Sequence, residues 1–152
     1  MDVEDIETVG PWTAHIETMD KALAASDADE SIRAWRRAYS AALSDPSWLG
    51  LFTVGRAALR LRALPSLTRE TIARARETCW IALFRARQQR SLNGALSAAA
   101  VFDILGDREA FKQSMRVVEA LANRIGEADG PDRVRLFIER LMDQTRVAEQ
   151  AP

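Results

Sequence analysis

The chain is poor in the residues on which most enzyme sites depend. Its 152 residues include one histidine, His15, and one cysteine, Cys79. A histidine-based metal cluster or a relay of several histidines is therefore excluded within one chain. Cys79 lies in the apolar stretch TCWIALF, so we expect a buried, unreactive thiol. A Cys79–His15 pair stays open, but nothing local supports it. We expect no enzymatic activity, no cofactor and no metal.

Disulfides, glycine-rich motifs and long apolar runs are also missing. A single cysteine cannot form an internal disulfide, so the fold needs no oxidising compartment. Gly50 and Gly55 lack the lysine that completes a phosphate-binding loop. No apolar run approaches the about 20 residues needed to cross a bilayer. The acidic start, MDVEDIETVG, has no features of a secretory signal. We therefore predict a cytoplasmic protein of bacterial style. The near-exclusive use of arginine among its 21 basic residues indicates a codon bias and not a function.

Charge is unevenly distributed although the net charge is only -1. Residues 51–90 carry nine arginines against Glu70 and Glu77, whereas residues 1–50 are acidic. The basic segment either pairs with the acidic first third inside the fold or attracts an acidic partner. A pI of about 5.9 argues against nucleic acid as the partner, because DNA-binding domains are usually basic overall.

Helix start and stop signals are frequent. Asp27 and Glu30 have capping-box spacing, Pro65 ends a helix, and Gly106-Asp107 offers a left-handed stop followed by a new cap. Valine and isoleucine never alternate with polar residues over a useful length, so no strand is expected. The predicted helices span 11–25, 28–43, 46–63, 67–89, 91–105, 107–125 and 131–148.

The predicted helices fit one domain over 11–148, between an acidic flexible N-terminus at 1–10 and a tail at 149–152. The connections are short, so neighbouring helices should run antiparallel. The helix at 46–63, which begins near Asp45-Pro46, is apolar around most of its circumference and should lie centrally. The helix at 131–148 has one apolar face and should cap one end.

A weak repeat relates three of these helices. Each contains a glutamate, a small residue and a large apolar residue in succession, at Glu30-Ser31-Ile32, Glu70-Thr71-Ile72 and Glu109-Ala110-Phe111. A period of 40 and then 39 residues is typical of stacked helical hairpins. We therefore predict an all-α fold, an α-solenoid-like stack of three antiparallel hairpins with a C-terminal capping helix. The three repeat helices should lie side by side.

Two segments, DESIRAWRRAYSAALSDPSW and ALSAAAVFDILGDREAF, resemble the two halves of a tetratricopeptide repeat. Ser31, Trp35 and Ala38 occupy the small, aromatic and small positions of its second helix. Ala99 and Phe102 occupy the small and aromatic positions of the other half. The period exceeds the family's value of about 34 residues, which makes HEAT-type repeats a competing label. The resemblance implies a protein-binding role, with a shallow groove lined by the first helix of each hairpin.

The resemblance also implies groove positions. Those that transfer to this chain are Leu49, Phe52, Arg56, Asn93, Leu96 and Ala100. Arg60 lies one turn after Arg56, so we predict that both bind an acidic segment; pairing with an acid of the first hairpin is the alternative. A secondary basic ridge on helix 67–89 either pairs internally or faces a partner beside Trp80. Its members are Arg69, Arg76 and Arg87.

The leading functional hypothesis is an adaptor or accessory subunit that binds a partner protein or peptide, with an acidic segment as the favoured target. The alternative is a small-molecule-binding regulatory domain with a pocket near Trp48, Phe52 and Trp80. The identity of the partner and the oligomeric state are open at this stage. A deep pocket would favour the alternative, and an open groove with exposed apolar residues would favour the adaptor.

Overall fold

The structure, a computed structural model, describes residues 9–124 and 130–150, with side chains as far as residue 144. All regular elements within these ranges are helical, which confirms the all-α prediction. Predictions for residues 1–8, 125–129 and 151–152 lie outside the described residues. The helices are α1 (Thr13–Ala24), α2 (Ala28–Ser44), α3 (Trp48–Ala58), α4 (Thr68–Gln88), α5 (Leu92–Leu105), α6 (Arg108–Arg124) and α7 (Gly130–Gln150).

Several helix ends follow the capping residues that the sequence indicated. The Asp27 carboxylate accepts a hydrogen bond from the Glu30 amide at 3.1 Å, at the start of α2. Gly106 ends α5 with φ at 72°, a left-handed conformation that glycine adopts without a Cβ clash. The Asp107 carboxylate then accepts from the Ala110 amide at 3.1 Å. Each of these helix boundaries therefore depends on one capping residue.

The segment predicted as one helix over 46–63 begins two residues later than predicted and changes from α to 3-10 geometry after Ala58. Ser47 caps α3 in place of Asp45, because its hydroxyl accepts from the Leu49 amide. At the other end the chain tightens into two 3-10 segments, Leu59–Ala63 and Pro65–Leu67. Leu64, the residue before Pro65, has an extended backbone, so the helical turns stop there and do not continue directly into α4.

Helices packed against each other are mostly neighbours in the chain. Each helix from α1 to α6 contacts the next one, and α3 also contacts α5. The α7 helix packs on α6 and on α5. The α3 and α5 helices are buried on most sides, in agreement with the central position predicted for the segment around α3.

Side chains also connect the three repeat helices. Near its middle, α2 reaches the start of α4 through Arg36 and Glu70, whose Nη2 and Oε1 atoms lie 3.3 Å apart. At its end, α2 is contacted by Arg85 from the end of α4. These contacts mean that α2 and α4 run in the same direction. The α4 helix in turn meets the start of α6 through Arg76 and Asp107.

Candidate functional site

A concave apolar surface lies between α3, α5 and α7 and has a volume of about 350 Å³. We call it the apolar groove. Phe52 and Val101 are buried at its base, and Ile104 is 55% exposed at its edge. Its rim carries charged and polar groups from all three helices. The lining residues are Phe52, Arg56, Ala100, Val101, Asp103, Ile104, Phe137, Arg140, Leu141 and Gln144.

The α7 helix supplies one wall of the apolar groove. Its residues Val134 and Phe137 pack against the core, whereas Ile138 and Met142 stay exposed. These two side chains lie on a different face of α7 from the residues that line the groove. Ile104 is therefore the strongly exposed apolar side chain that borders the groove.

The groove brings together part of the predicted set. Phe52, Arg56 and Ala100 line it, whereas Leu49, Asn93 and Leu96 do not. Leu96 is only 5% exposed and belongs to the core. Asn93 accepts a hydrogen bond from Arg133, because α7 lies along α5 and reaches this position. Sequence reasoning assigned α7 to the end of the stack and therefore missed its contribution to the groove.

The two arginines predicted to act together have different surroundings. The Arg60 guanidinium binds the Asp20 carboxylate through two hydrogen bonds, Nε to Oδ1 at 2.9 Å and Nη2 to Oδ2 at 3.2 Å. Asp20 belongs to α1, so this is the internal pairing with the first hairpin that the sequence left open. Arg56 is exposed and makes no ion pair within the part of the chain that the structure describes. Of the two, only Arg56 also lines the groove.

The secondary basic ridge is divided by the fold. Arg69 is exposed at the start of α4. The Arg76 Nε atom lies 2.8 Å from Oδ2 of Asp107, so this arginine pairs with the third hairpin. Arg87 lines a separate concavity near the end of α4. The ridge therefore combines one internal pair with two exposed arginines that lie far apart.

Arg87 contributes to a second concavity, of about 690 Å³, between the C-terminal halves of α4 and α6. We call it the basic groove. Sequence reasoning had singled out only Arg87 among its members. Arg116 and Arg124 share a face of α6 because they are eight residues apart, and this spacing was the signal available in the sequence. The lining residues are Arg87, Arg90, Arg116, Val117, Ala120, Leu121 and Arg124.

The tryptophans of the small-molecule hypothesis fill spaces between helices. Trp48 packs on Phe52, with ring centroids 6.1 Å apart, and closely approaches Gly94 of α5. Trp80 packs on Phe102 with centroids 4.9 Å apart. Of the three residues named for that pocket, only Phe52 lines the apolar groove.

The only cysteine and the only histidine lie on different helix pairs. Cys79 is fully buried on α4, and its Sγ atom would lie 2.8 Å from a Cβ placed on Gly55. Burial raises the pKa of the Cys79 thiol to about 12. His15 lies on α1 in a shallow surface depression beside Arg36 and Ser40. The two side chains do not form a catalytic pair. No cluster of potential metal ligands occurs among the described residues.

We expect the Cys79 thiol to resist labelling in the native protein. With a pKa of about 12, roughly one thiol in ten thousand is ionised at pH 8. A disulfide reagent should therefore react at least about 100-fold more slowly with native protein than with protein unfolded in guanidinium. Labelling at the unfolded rate under native conditions would contradict the buried position.

The same burial predicts a pH dependence of stability. Above pH 9 the unfolded chain releases the thiol proton while the native protein retains it, so stability should fall as pH rises. The slope should be about 1.4 kcal/mol per pH unit until the native pKa is approached. The Cys79→Ala variant, measured by urea unfolding, should lack this contribution. An identical pH profile in the variant would contradict the prediction.

No helix in the described ranges has the length and apolar character needed to span a membrane. No model of a known protein family matches the chain, and a comparison with curated proteins finds no significant relative.

Proposed function

We propose that this chain is a tetratricopeptide-like adaptor that binds a protein or peptide segment through the apolar groove. The packing of successive helices, and the contacts that link α2, α4 and α6, support a stack of three antiparallel hairpins. The α7 helix would then complete the groove as well as cover the end of the stack. A cytoplasmic location belongs to the same proposal and is supported by the single free thiol of Cys79.

The observation that carries the proposal is an arginine at the rim of an apolar concavity, for which the described residues provide no ion-pair partner. A buried side chain of the partner would fill the space above Phe52 and Val101, and a partner carboxylate would bind Arg56. Apolar anchors supply most of the affinity at such surfaces, whereas rim charges set orientation and association rate. Ile104, which is 55% exposed at the edge of the groove, extends the apolar contact beyond the cavity.

The volume of the apolar groove supports a second candidate function. Small-molecule sites usually measure about 300 to 1,000 Å³ and are mostly apolar with a few polar groups. A groove of about 350 Å³ with Arg56 and Asp103 at its rim falls at the low end of that range. A regulatory domain that binds a small carboxylate-containing molecule is therefore the alternative.

Selection from a random peptide display library tests the proposal directly. Enriched peptides should lose about tenfold in affinity for Ala100→Leu, because the added side chain occupies the groove. The matched control is Ala41→Leu on α2, a half-buried alanine at a surface depression remote from the groove. Failure to enrich peptides, or equal loss in both variants, would reject the adaptor. Thermal stabilisation by a small acid, abolished by Ala100→Leu, would favour the alternative.

Replacing Arg56 with glutamine should weaken binding of the selected peptides about fivefold without changing the melting temperature. Arg60→Gln is the matched control one turn away. It should change affinity less and stability slightly more, by about 0.5 kcal/mol, because it breaks the exposed pair with Asp20. Isothermal calorimetry and thermal unfolding give the two quantities. If neither change affects affinity in folded protein, neither Arg56 nor Arg60 belongs to the binding surface.

A further inference from the structure

The basic groove collects positive charge that no ion pair among the described residues neutralises. Four arginines line it: Arg87, Arg90, Arg116 and Arg124. Within the described ranges, none of the four forms an ion pair, whereas Arg60 and Arg76 elsewhere pair with carboxylates. Concentrated like charge in a concavity is unfavourable by itself and raises the local concentration of anions.

The helix dipole explains the positions of only some of the four arginines in the basic groove. Arg87 and Arg124 lie in the last turns of α4 and α6, where a positive charge interacts favourably with the helix dipole. Arg116 lies near the middle of α6, so the dipole gives it no comparable stabilisation. The helix dipole therefore does not explain why arginines occupy positions 116 and 90.

Arg90 has an unfavourable backbone conformation. Its φ is 55°, in the left-handed region, and it follows the end of α4 at the position where glycine is preferred. The surrounding hydrogen bonds, from Arg90 N to Arg87 O and from Ser91 N to Ala86 O, hold it there. Gly106 occupies the equivalent position after α5. An arginine at such a position costs stability and places its guanidinium beside the groove.

The base of the basic groove is apolar. Val117 and Leu121 lie along α6 between the arginines, and Leu121 is 6% exposed. An inorganic anion would make no contact with this apolar base. A nucleic acid is disfavoured because the net charge of the protein is -1, whereas nucleic-acid-binding domains are usually basic overall. An acidic peptide segment that also carries apolar side chains complements both the guanidinium groups and the base.

We propose that the basic groove is a docking site for an acidic segment of another protein, in which glutamate or aspartate side chains flank leucine-like residues. The carboxylates bind Arg87, Arg90, Arg116 and Arg124, and the apolar side chains contact Val117 and Leu121. Guanidinium groups suit this ligand because they bind carboxylates through two parallel hydrogen bonds. The site shares no lining residue with the apolar groove, so it is independent of the function proposed for that surface.

The test uses the full chain and a fluorescein-labelled peptide of alternating glutamate and leucine, with a glutamine-for-glutamate peptide as the uncharged probe. Fluorescence anisotropy should show binding of the glutamate peptide that weakens as salt rises, because screening shortens the range of charge attraction. The double variant Arg116→Gln, Arg124→Gln should lose about tenfold in affinity. The glutamine peptide should not bind measurably.

A matched double variant controls for the change in overall charge. Arg69→Gln with Arg108→Gln also removes two arginines, one from α4 and one from α6, and neither of them lines the basic groove. Arg69 lies about 27 Å along the helix axis from Arg87. The control should keep the affinity of the original chain. Equal loss in the two double variants would overturn the site, because it would show a response to net charge alone.

Arg90→Gly separates a binding role from a structural one. Glycine tolerates the left-handed conformation, so the melting temperature should stay the same or rise, while affinity for the glutamate peptide falls about threefold. Ser26 is the other non-glycine residue with positive φ among the described residues. Ser26→Gly should change the melting temperature in the same direction and leave affinity unchanged. No peptide binding, or tighter binding of a single-stranded DNA oligonucleotide than of the peptide, would reject the proposal.

Discussion

Replacing Trp35 with alanine should lower the free energy of unfolding by about 3 to 5 kcal/mol, one of the two largest effects expected for this chain. The side chain is 1% exposed on α2. Its Nε1 atom donates a hydrogen bond to the Val54 carbonyl oxygen of α3 at 2.9 Å. Its ring stacks on Tyr39, with centroids 5.5 Å apart. Alanine would leave a cavity between the two helices and remove the bond that joins them.

Two further variants separate packing from hydrogen bonding in this effect. Trp35→Phe retains an aromatic ring but loses the indole donor, so we expect a loss of about 1 to 2 kcal/mol. Phe84→Ala removes an aromatic side chain that is 55% exposed on α4, and it should cost about 0.5 kcal/mol or less. Urea unfolding followed by circular dichroism measures all three. A loss below about 1 kcal/mol for Trp35→Ala would show that the tryptophan does not join α2 to α3.

The position of Trp35 could be anticipated because local sequence carries the necessary information. Apolar spacing, capping residues and the small residues Ser31 and Ala38 are all properties of one helix. For the same reason the bounds of α2 and α6 are close to their predicted values, whereas the start of α3 and its change to 3-10 geometry at Leu59 were not predicted. Helix type and extent are largely decided within a few turns of chain.

The candidate sites could be predicted only in part, because they depend on which helices meet. Phe52, Arg56 and Ala100 were found through helix periodicity and the resemblance, but no pattern indicated that α7 would lie along α5. Arg56 and Arg60 are equivalent in sequence, and Asp20, forty residues earlier, distinguishes them in the fold. Periodicity tells which residues share a face of a helix. It does not tell what the face contacts.

Arg85 is the clearest example of a contact without a sequence signal, and its removal gives the second large effect. The last carbonyl groups of a helix have no partner within that helix. At the end of α2 these acceptors are satisfied from α4. Arg85 Nη1 donates to the carbonyl oxygens of Ala42 at 3.2 Å and Asp45 at 2.6 Å, and Nη2 donates to that of Leu43 at 3.0 Å.

Arg85→Met should lower the free energy of unfolding by about 2 to 3 kcal/mol. Methionine keeps an apolar stem of similar length, so the loss reports the three hydrogen bonds and the charge more than the packing. Because these hydrogen bonds are partly accessible to water, their summed contribution to the free energy of unfolding is well below that of three buried hydrogen bonds from a charged donor. Arg74→Met is the matched control on the same helix. Its exposed contact with Glu70 is 3.9 Å long and should contribute less than about 0.5 kcal/mol.

Hydrogen exchange locates the Arg85 effect in the structure. Gln89, one turn later and directly after the last residue of α4, also contacts the α2–α3 connection, donating to the Pro46 carbonyl and accepting from the Trp48 amide. Arg85 and Gln89 thus hold this connection against α4 from two adjacent turns. In Arg85→Met, amides near Asp45 should exchange faster, while those in the middle of α5 keep their protection. Uniformly faster exchange, or a stability loss no larger than that of Arg74→Met, would show that Arg85 does not fix the end of α2 to α4.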